Sequence, residues 1–361
     1  TILTDPVGAN DWTVNNLTAT APGLETANQG LGIVEYTGNS SSRSFDLGFQ
    51  PDFVWIKAKA AGFNHQLFDS VRGVTKTLNS NTTSAEATAA NSLTAFNSNG
   101  FSLGSDNNGD VNGGGSTNYV AWAWKAGGTA VSNTDGTITS SVSANNTYGF
   151  SICTYTGTGS NATVGHGLSS APKWIIVKDR SQATGWSVYH STIGTSSSNY
   201  IELQDTAGSS QDNTAFQNTA PTNSVFSIGT KAAVNTSGDN FVAYCWSEID
   251  GFSKFGSFTH TGGNQTLDFG FTPKYWLVKQ TNGTSPWYIF DAERDNFDDP
   301  LFANTNGTAG SGFAFTFSGT TVSWVGGSFG SGTYIYVAFA VKPDQSVIDR
   351  LIDTPTNYTA G

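Results

Sequence analysis

Apolar positions along this chain come in short runs and rarely at the spacing of a helix face. The runs are rich in Val, Ile, Phe, Tyr and Trp, and Gly, Asn, Asp and Ser bound them, as expected for strands and turns. The pattern predicts an all-β fold. No window of helical periodicity exceeds about two turns. The best of them, "TSAEATAANSLTAF" (83–96), predicts one short helix. Two kinds of strand stand out. In "VAWAWK" (120–125), Trp122 and Trp124 alternate with Ala121 and Ala123, and "VAYCWS" (242–247) sets Tyr244 and Trp246 against Ala243 and Cys245. Large side chains on one face and small ones on the other imply two different neighbours, the small face meeting a close-packed second sheet. The segments "PDFVWIK" (51–57), "PKWIIVK" (172–178) and "PKYWLVK" (273–279) do not alternate. A continuous apolar run predicts a central strand covered on both faces. Pro51, Pro172 and Pro273 suit a strand start, and Lys57, Lys178 and Lys279 are expected where the strand leaves the core.

These heptads are one element of a longer repeat. A strand precedes each: "GIVEYTG" (32–38), "SICTYTG" (151–157) and "KFGSFTHTG" (254–262). Another follows: "HQLFDSVR" (65–72), "WSVYHSTI" (186–193) and "WYIFDAER" (287–294). "YVAWAWK" (119–125), "FVAYCWS" (241–247) and "YVAFAVK" (336–342) close the three copies. A period of roughly 95–120 residues is that of a small domain rather than a solenoid repeat. The expected architecture is three homologous β-sandwich or jelly-roll-like units in tandem, as separate domains or as three sectors of one pseudo-symmetric body. Units 31–126, 148–249 and 250–343 follow an N-terminal extension (1–30), with a linker or edge strand at 127–147 and a C-terminal extension at 344–361. Close packing is expected between the second and third units, with a looser join before the second. In the last extension "SVIDRLID" predicts a short helix with Val347, Ile348, Leu351 and Ile352 on one side. Both extensions are expected on the surface or docked on another subunit.

Composition narrows the function. Charged residues make up 12% of the chain, and the net charge is −11 with 16 Lys plus Arg. Dispersed cations offer no basic stripe for phosphate and no attraction to anionic membranes, so nucleic acid and membrane are not expected partners. No apolar window approaches the ~20 residues of a membrane-spanning helix. Aromatic residues at 13% supply ample apolar area for a core. The chain has no Met, which points to a fragment or a mature product. Cys153 and Cys245, both in the second copy, form either one disulfide or two buried thiols.

Candidate chemistry is sparse. His65, His166, His190 and His260 are scattered and form no metal-binding spacing. Asp106, Asn108 and Asp110 alternate as at the start of a calcium loop, making calcium the one cofactor considered. The twelfth position of that loop is Thr117, however, so a solvated glycine-rich hairpin is the plainer reading. Asp69 with Arg72 and Asp291 with Arg294 close the strand after the heptad, where a carboxylate and guanidinium lock a turn. The six Glu occupy no matching positions across the copies, so no acid/base pair for glycoside hydrolysis is nominated and no enzyme is expected. Trp186 and Trp287 begin the same strand in two copies just after a turn. Exposed, they would stack on sugar rings; buried, they belong to the core.

The segments "GFSKFGSFTHTG", "GFTPKYWLVKQT", "WYIFDAERD" and "DRLIDTPTNY", with "DWTVNNL" near the start, resemble a family of uncharacterised β-rich proteins of tailed bacteriophages. These are notably marine phages infecting cyanobacteria and other plankton. The resemblance implies a virion structural protein on the particle surface, serving as a tail fibre, appendage or capsid decoration. It implies other virion proteins as partners, homo-oligomerisation and contact with a host surface. A glycan-binding host-receptor module is the alternative, and a polysaccharide depolymerase the third reading.

Overall fold

The computed structural model describes residues 30–60, 62–106, 108–193 and 199–340, together with the short antiparallel pair Ile2–Leu3 and Trp12–Thr13. Apart from the helical turns Asn213–Phe216 and Ala232–Asn235, the described regular structure is β. The heptads form the strands Phe53–Ala58, Trp174–Asp179 and Tyr275–Gln280. Each lies between a closing strand and the strand that follows it in sequence. The closing strands are Asn118–Trp124, Asn240–Trp246 and Gly332–Phe339. The following strands are Gln66–Asp69, Ser187–His190 and Trp287–Asp291. Opening strands Leu31–Thr37, Phe150–Thr156 and Ser253–His260 pair with the far side of the closing ones. The antiparallel order opening, closing, heptad, following thus occurs in three sheets.

The pairing register corrects the sequence alignment. Phe53 lies opposite Trp124, Trp174 opposite Trp246, and Tyr275 opposite Phe339. The third counterpart of "YVAWAW" is therefore 334–339, "YIYVAF", two residues before the segment that looks most alike. Composition misled because "YVA" occurs at 336–338, one pleat repeat further along. The shift puts Tyr336 where the other sheets have Ala121 and Ala243. Gly256, directly opposite, makes room: a Cβ there would come within 2.5 Å of the Tyr336 hydroxyl.

The two faces of each closing strand meet different neighbours. Ala121 and Ala123 pack with Val54, Ile56, Phe45 and Phe101 against an outer sheet of Arg43–Asp46, Gly100–Leu103 and Leu93–Asn97. The third sheet carries an outer sheet of the same order, from Gln265–Asp268, Thr321–Trp324 and Phe315–Ser318. In the second, Ala162–Gly165 pairs with Val225–Ile228, and the turn Asn213–Phe216 adds Ala215 and Phe216 to the core beneath. The opposite faces of all three main sheets converge on one central core, where Trp122, Trp124, Tyr244, Trp246, Val337 and Phe339 are buried together. Ring centroids lie 4.5 Å apart for Phe53 and Tyr244, and 5.4 Å for Trp124 and Tyr275. The first sector is therefore packed as intimately as the others, not loosely joined.

Three local expectations change. Residues 83–96 form no helix; they contribute Ala87–Thr88 and Leu93–Asn97, because pairing with Gly100–Leu103 satisfies the backbone that Asn91 and Ser92 would weaken as helix. Segment 127–147 supplies Val131–Asn133 and Ser140–Asn145, which extend the second sheet to eight strands. The recurrent lysines Lys57, Lys178 and Lys279 stay inside. At the two limits of the described body, Gly30 backs onto the rings of Tyr148 and Phe252, and the Ala340 N–H donates to the Phe252 carbonyl at 2.7 Å. The expected helix at 347–352 and the extension 344–361 lie outside the described residues.

Candidate functional site

The repeated polar residues gather at three seams between the sectors. His65, Trp186 and Trp287 occupy one register position at the start of the following strand, four residues before Asp69, His190 and Asp291. An amide side chain receives the backbone N–H of each: Asn81 at 3.0 Å, Gln204 at 2.8 Å and Asn304 at 2.9 Å. Each ring then bonds a main-chain carbonyl of a neighbouring sector. His65 Nε2 meets Phe302 O at 2.9 Å, Trp186 Nε1 donates to Asn79 O at 2.9 Å, and Trp287 Nε1 donates to Glu202 O at 3.0 Å. The first sector holds the third, the second holds the first, and the third holds the second. The cycle closes. Trp186 and Trp287 are 0% and 1% exposed, so neither presents a face to a sugar. The turn that suggested exposure is covered by the adjacent sector.

The Asp–Arg pairs belong to the same seams. Arg72 Nε pairs with Asp69 Oδ2, and Arg294 Nε with Asp291 Oδ2 at 2.6 Å, all four side chains fully buried. The carboxylates also accept the Arg backbone N–H, and Arg72 Nη2 and Arg294 Nη2 reach Leu67 O and Ile289 O. A further donor comes from another sector: the Tyr244 hydroxyl to Asp69 at 2.7 Å, and Trp122 Nε1 to Asp291 at 3.0 Å. In the third sheet the register equivalent of Trp122 and Tyr244 is Val337, which has nothing to donate. Facing it, the second sector has His190 in place of aspartate. Its Nδ1 accepts the Thr192 N–H, so Nε2 carries the proton and donates to Tyr336 O at 3.1 Å. Acceptor and donor have changed together. Between the first two sectors, Glu86 bridges Arg72 and Arg180; burial opposes its charge, but both guanidiniums hold its carboxyl below the usual range.

Lys57, Lys178 and Lys279 are fully buried rather than leaving the core. Their ammonium groups donate to main-chain carbonyls of the loop ahead: Lys57 to Ala58 and Ala60, Lys178 to Asp179 and Gln182, Lys279 to Ser285 and, across the seam, Thr206. Desolvation brings each down to about 8. Sequence reasoning missed this because a lysine after an apolar run reads as solvent-bound, whereas its stem packs in the core and only the tip needs partners.

Asp106 and Asn108 line one depression of the first sector. Asp106 is buried and braces its loop by accepting the N–H groups of Val111 and Asn112 at 2.6 and 2.7 Å, while Asn108 is exposed. Among the described residues no three His, Cys, Asp or Glu converge. Cys153 and Cys245 are free, buried thiols. The four histidines are buried within hydrogen-bonded structure, among them His166 with Thr222 O and His260 with Gly263 O. Accessible polar chemistry is left to the outer faces. A depression of about 510 Å³ lies on the outer sheet of the third sector between Asn264, Gln265, Thr266, Thr316, Ser323 and Val325. The profile of a family described as a domain of unknown function (DUF7483) matches residues 27–343, spanning all three sheets at once. No curated protein matches the chain.

Proposed function

Since the chain belongs to the DUF7483 family of domains of unknown function, we propose from its architecture that it is a non-enzymatic structural protein of a phage virion surface, built by triplication of one β-unit. The observation that carries this reading is the closed cycle of seams. The recurrent Trp, Asp and Arg side chains, which would be the raw material of a site, are committed to the seams between the sectors, and Lys279 reaches across one of them. Such a body is a rigid spacer or decoration, with hydroxyl- and amide-rich outer faces. The resemblance of the segments around 250–360 to uncharacterised β-rich proteins of tailed bacteriophages supports the same reading. The glycan-receptor alternative loses Trp186 and Trp287 as its carriers. Quantitative mass spectrometry of purified virions tests the proposal. It expects many copies per particle, retained through gradient purification. Recovery only as free protein in the lysate would overturn it.

A further inference from the structure

The three outer sheets share a row of hydroxyls on their solvent side. The register makes Ser44–Ser102, Thr163–Ser227 and Thr266–Ser323 equivalent, and Thr316 extends the third row across its outer strand. In the first sector the row is satisfied internally: Ser44 and Ser102 bond each other at 2.8 Å, and Asn97 Nδ2 donates to Ser102 at 2.8 Å. In the second it is covered, for Thr163 Oγ1 accepts the Thr137 N–H at 2.9 Å and Ile138 bridges to Val164. In the third sector, no described residue bonds the hydroxyls of Thr266, Thr316 and Ser323; Thr266, Thr316 and Ser323 line the depression of about 510 Å³. That volume lies in the range of small-ligand sites, ~300–1,000 Å³.

The lining states what would fit. Asn264 and Gln265 bring amides, and no lining residue is ionisable. Asp268, one row along the strand, is engaged with the Gly270 N–H at 2.9 Å. Val325, 57% exposed, supplies an apolar edge, and Trp324 lines the site, 3% exposed, with an indole N–H that has no partner. Hydroxyls and amides in a row about 4.8 Å apart across three strands, beside a small apolar edge and without charge, suit a ligand with many hydroxyls, C–H faces and no charge. We infer that the outer sheet of the third sector is a binding site for a neutral oligosaccharide.

Saturation-transfer NMR and calorimetry on the purified chain test this with neutral hexasaccharides (gluco-, manno-, galacto- and xylo-configured) and with alginate and hyaluronan hexamers as anionic probes. At least one neutral sugar should bind, with the anionic ones weaker. The triple variant Thr266→Val, Thr316→Val, Ser323→Ala, and separately Val325→Asp, should weaken binding about tenfold or more. Ser44→Ala, the same position in the first sector, should leave it unchanged. All these side chains face solvent, and an unchanged melting temperature verifies folding. No binding of any neutral probe at about 10 mM, equal binding of anionic probes, or affinity indifferent to the variants would overturn the site. The measurement uses isolated protein, so it stands apart from the virion reading.

Discussion

Tyr244 illustrates how much a single residue does at a seam. Its ring belongs to the central core, while its hydroxyl crosses to Asp69, already paired with Arg72. Tyr244→Phe keeps the packing and removes one donor to a buried carboxylate, a loss of about 1–3 kcal/mol. Urea unfolding should show it as a lower midpoint at unchanged slope. The His190 seam suggests a sharper check. Combining Tyr244→Phe with Asp69→Asn should be non-additive by about 0.5–3 kcal/mol, whereas additivity would mean that the two groups act independently.

At the scale of the strand, much was legible. Proline, apolar run and lysine located the three heptad strands, and alternation separated the faces of the closing strands. What a face meets was not legible: Trp122 and Ala121 announce different neighbours, but the same alternation results whether the neighbour is an outer sheet or another copy. Register was illegible for a related reason. A shift of two residues preserves the inward face, so "YVAFAV" and "YIYVAF" are equally good sequences for one strand, and only Gly256 opposite Tyr336 marks the true frame. The lysines were placed wrongly because their acceptors are main-chain carbonyls, which any residue type supplies; those of Lys279, on Ser285 and Thr206, come from a loop and from another sector. Lys279→Met should lower stability by about 1–3 kcal/mol by leaving those carbonyls without a donor, read as a fall in melting temperature. A neutral result would show that water replaces the ammonium group.

For the whole molecule, one core shared by three sheets implies one cooperative unit. Calorimetry should give a single transition with equal van't Hoff and calorimetric enthalpies; three resolved transitions would mean that the sectors are independent. Acid should strain the seams. Trp55 Nε1 donates to His65 Nδ1 at 2.8 Å, so protonation there breaks a buried bond. Burial, aided for His65 by Lys57, lowers His65 to about 3, and burial lowers His190 to about 4. Because both fall below the ordinary 6.5, their stabilisation is complete above that pH and is lost as pH drops toward 4. Asp52 and Asp179, raised by burial, act in the opposite sense, so a variant is more diagnostic than the wild-type curve. His65→Gln with His190→Gln should flatten the stability slope below pH 6.5 by up to about 2.7 kcal/mol per pH unit; an unchanged slope would clear both histidines.

Phe252 touches both limits of the described body, Gly30 with its ring and Ala340 with its carbonyl. The described body from 30 to 340 is thus a nearly closed loop, and the order of its sectors along the chain is not what holds them together. A short peptide joining 340 to 30, with new ends cut at the exposed turn Ser237–Gly238, should refold to the same body and melt within a few degrees of the parent. The ring has a direction of travel and no natural starting point.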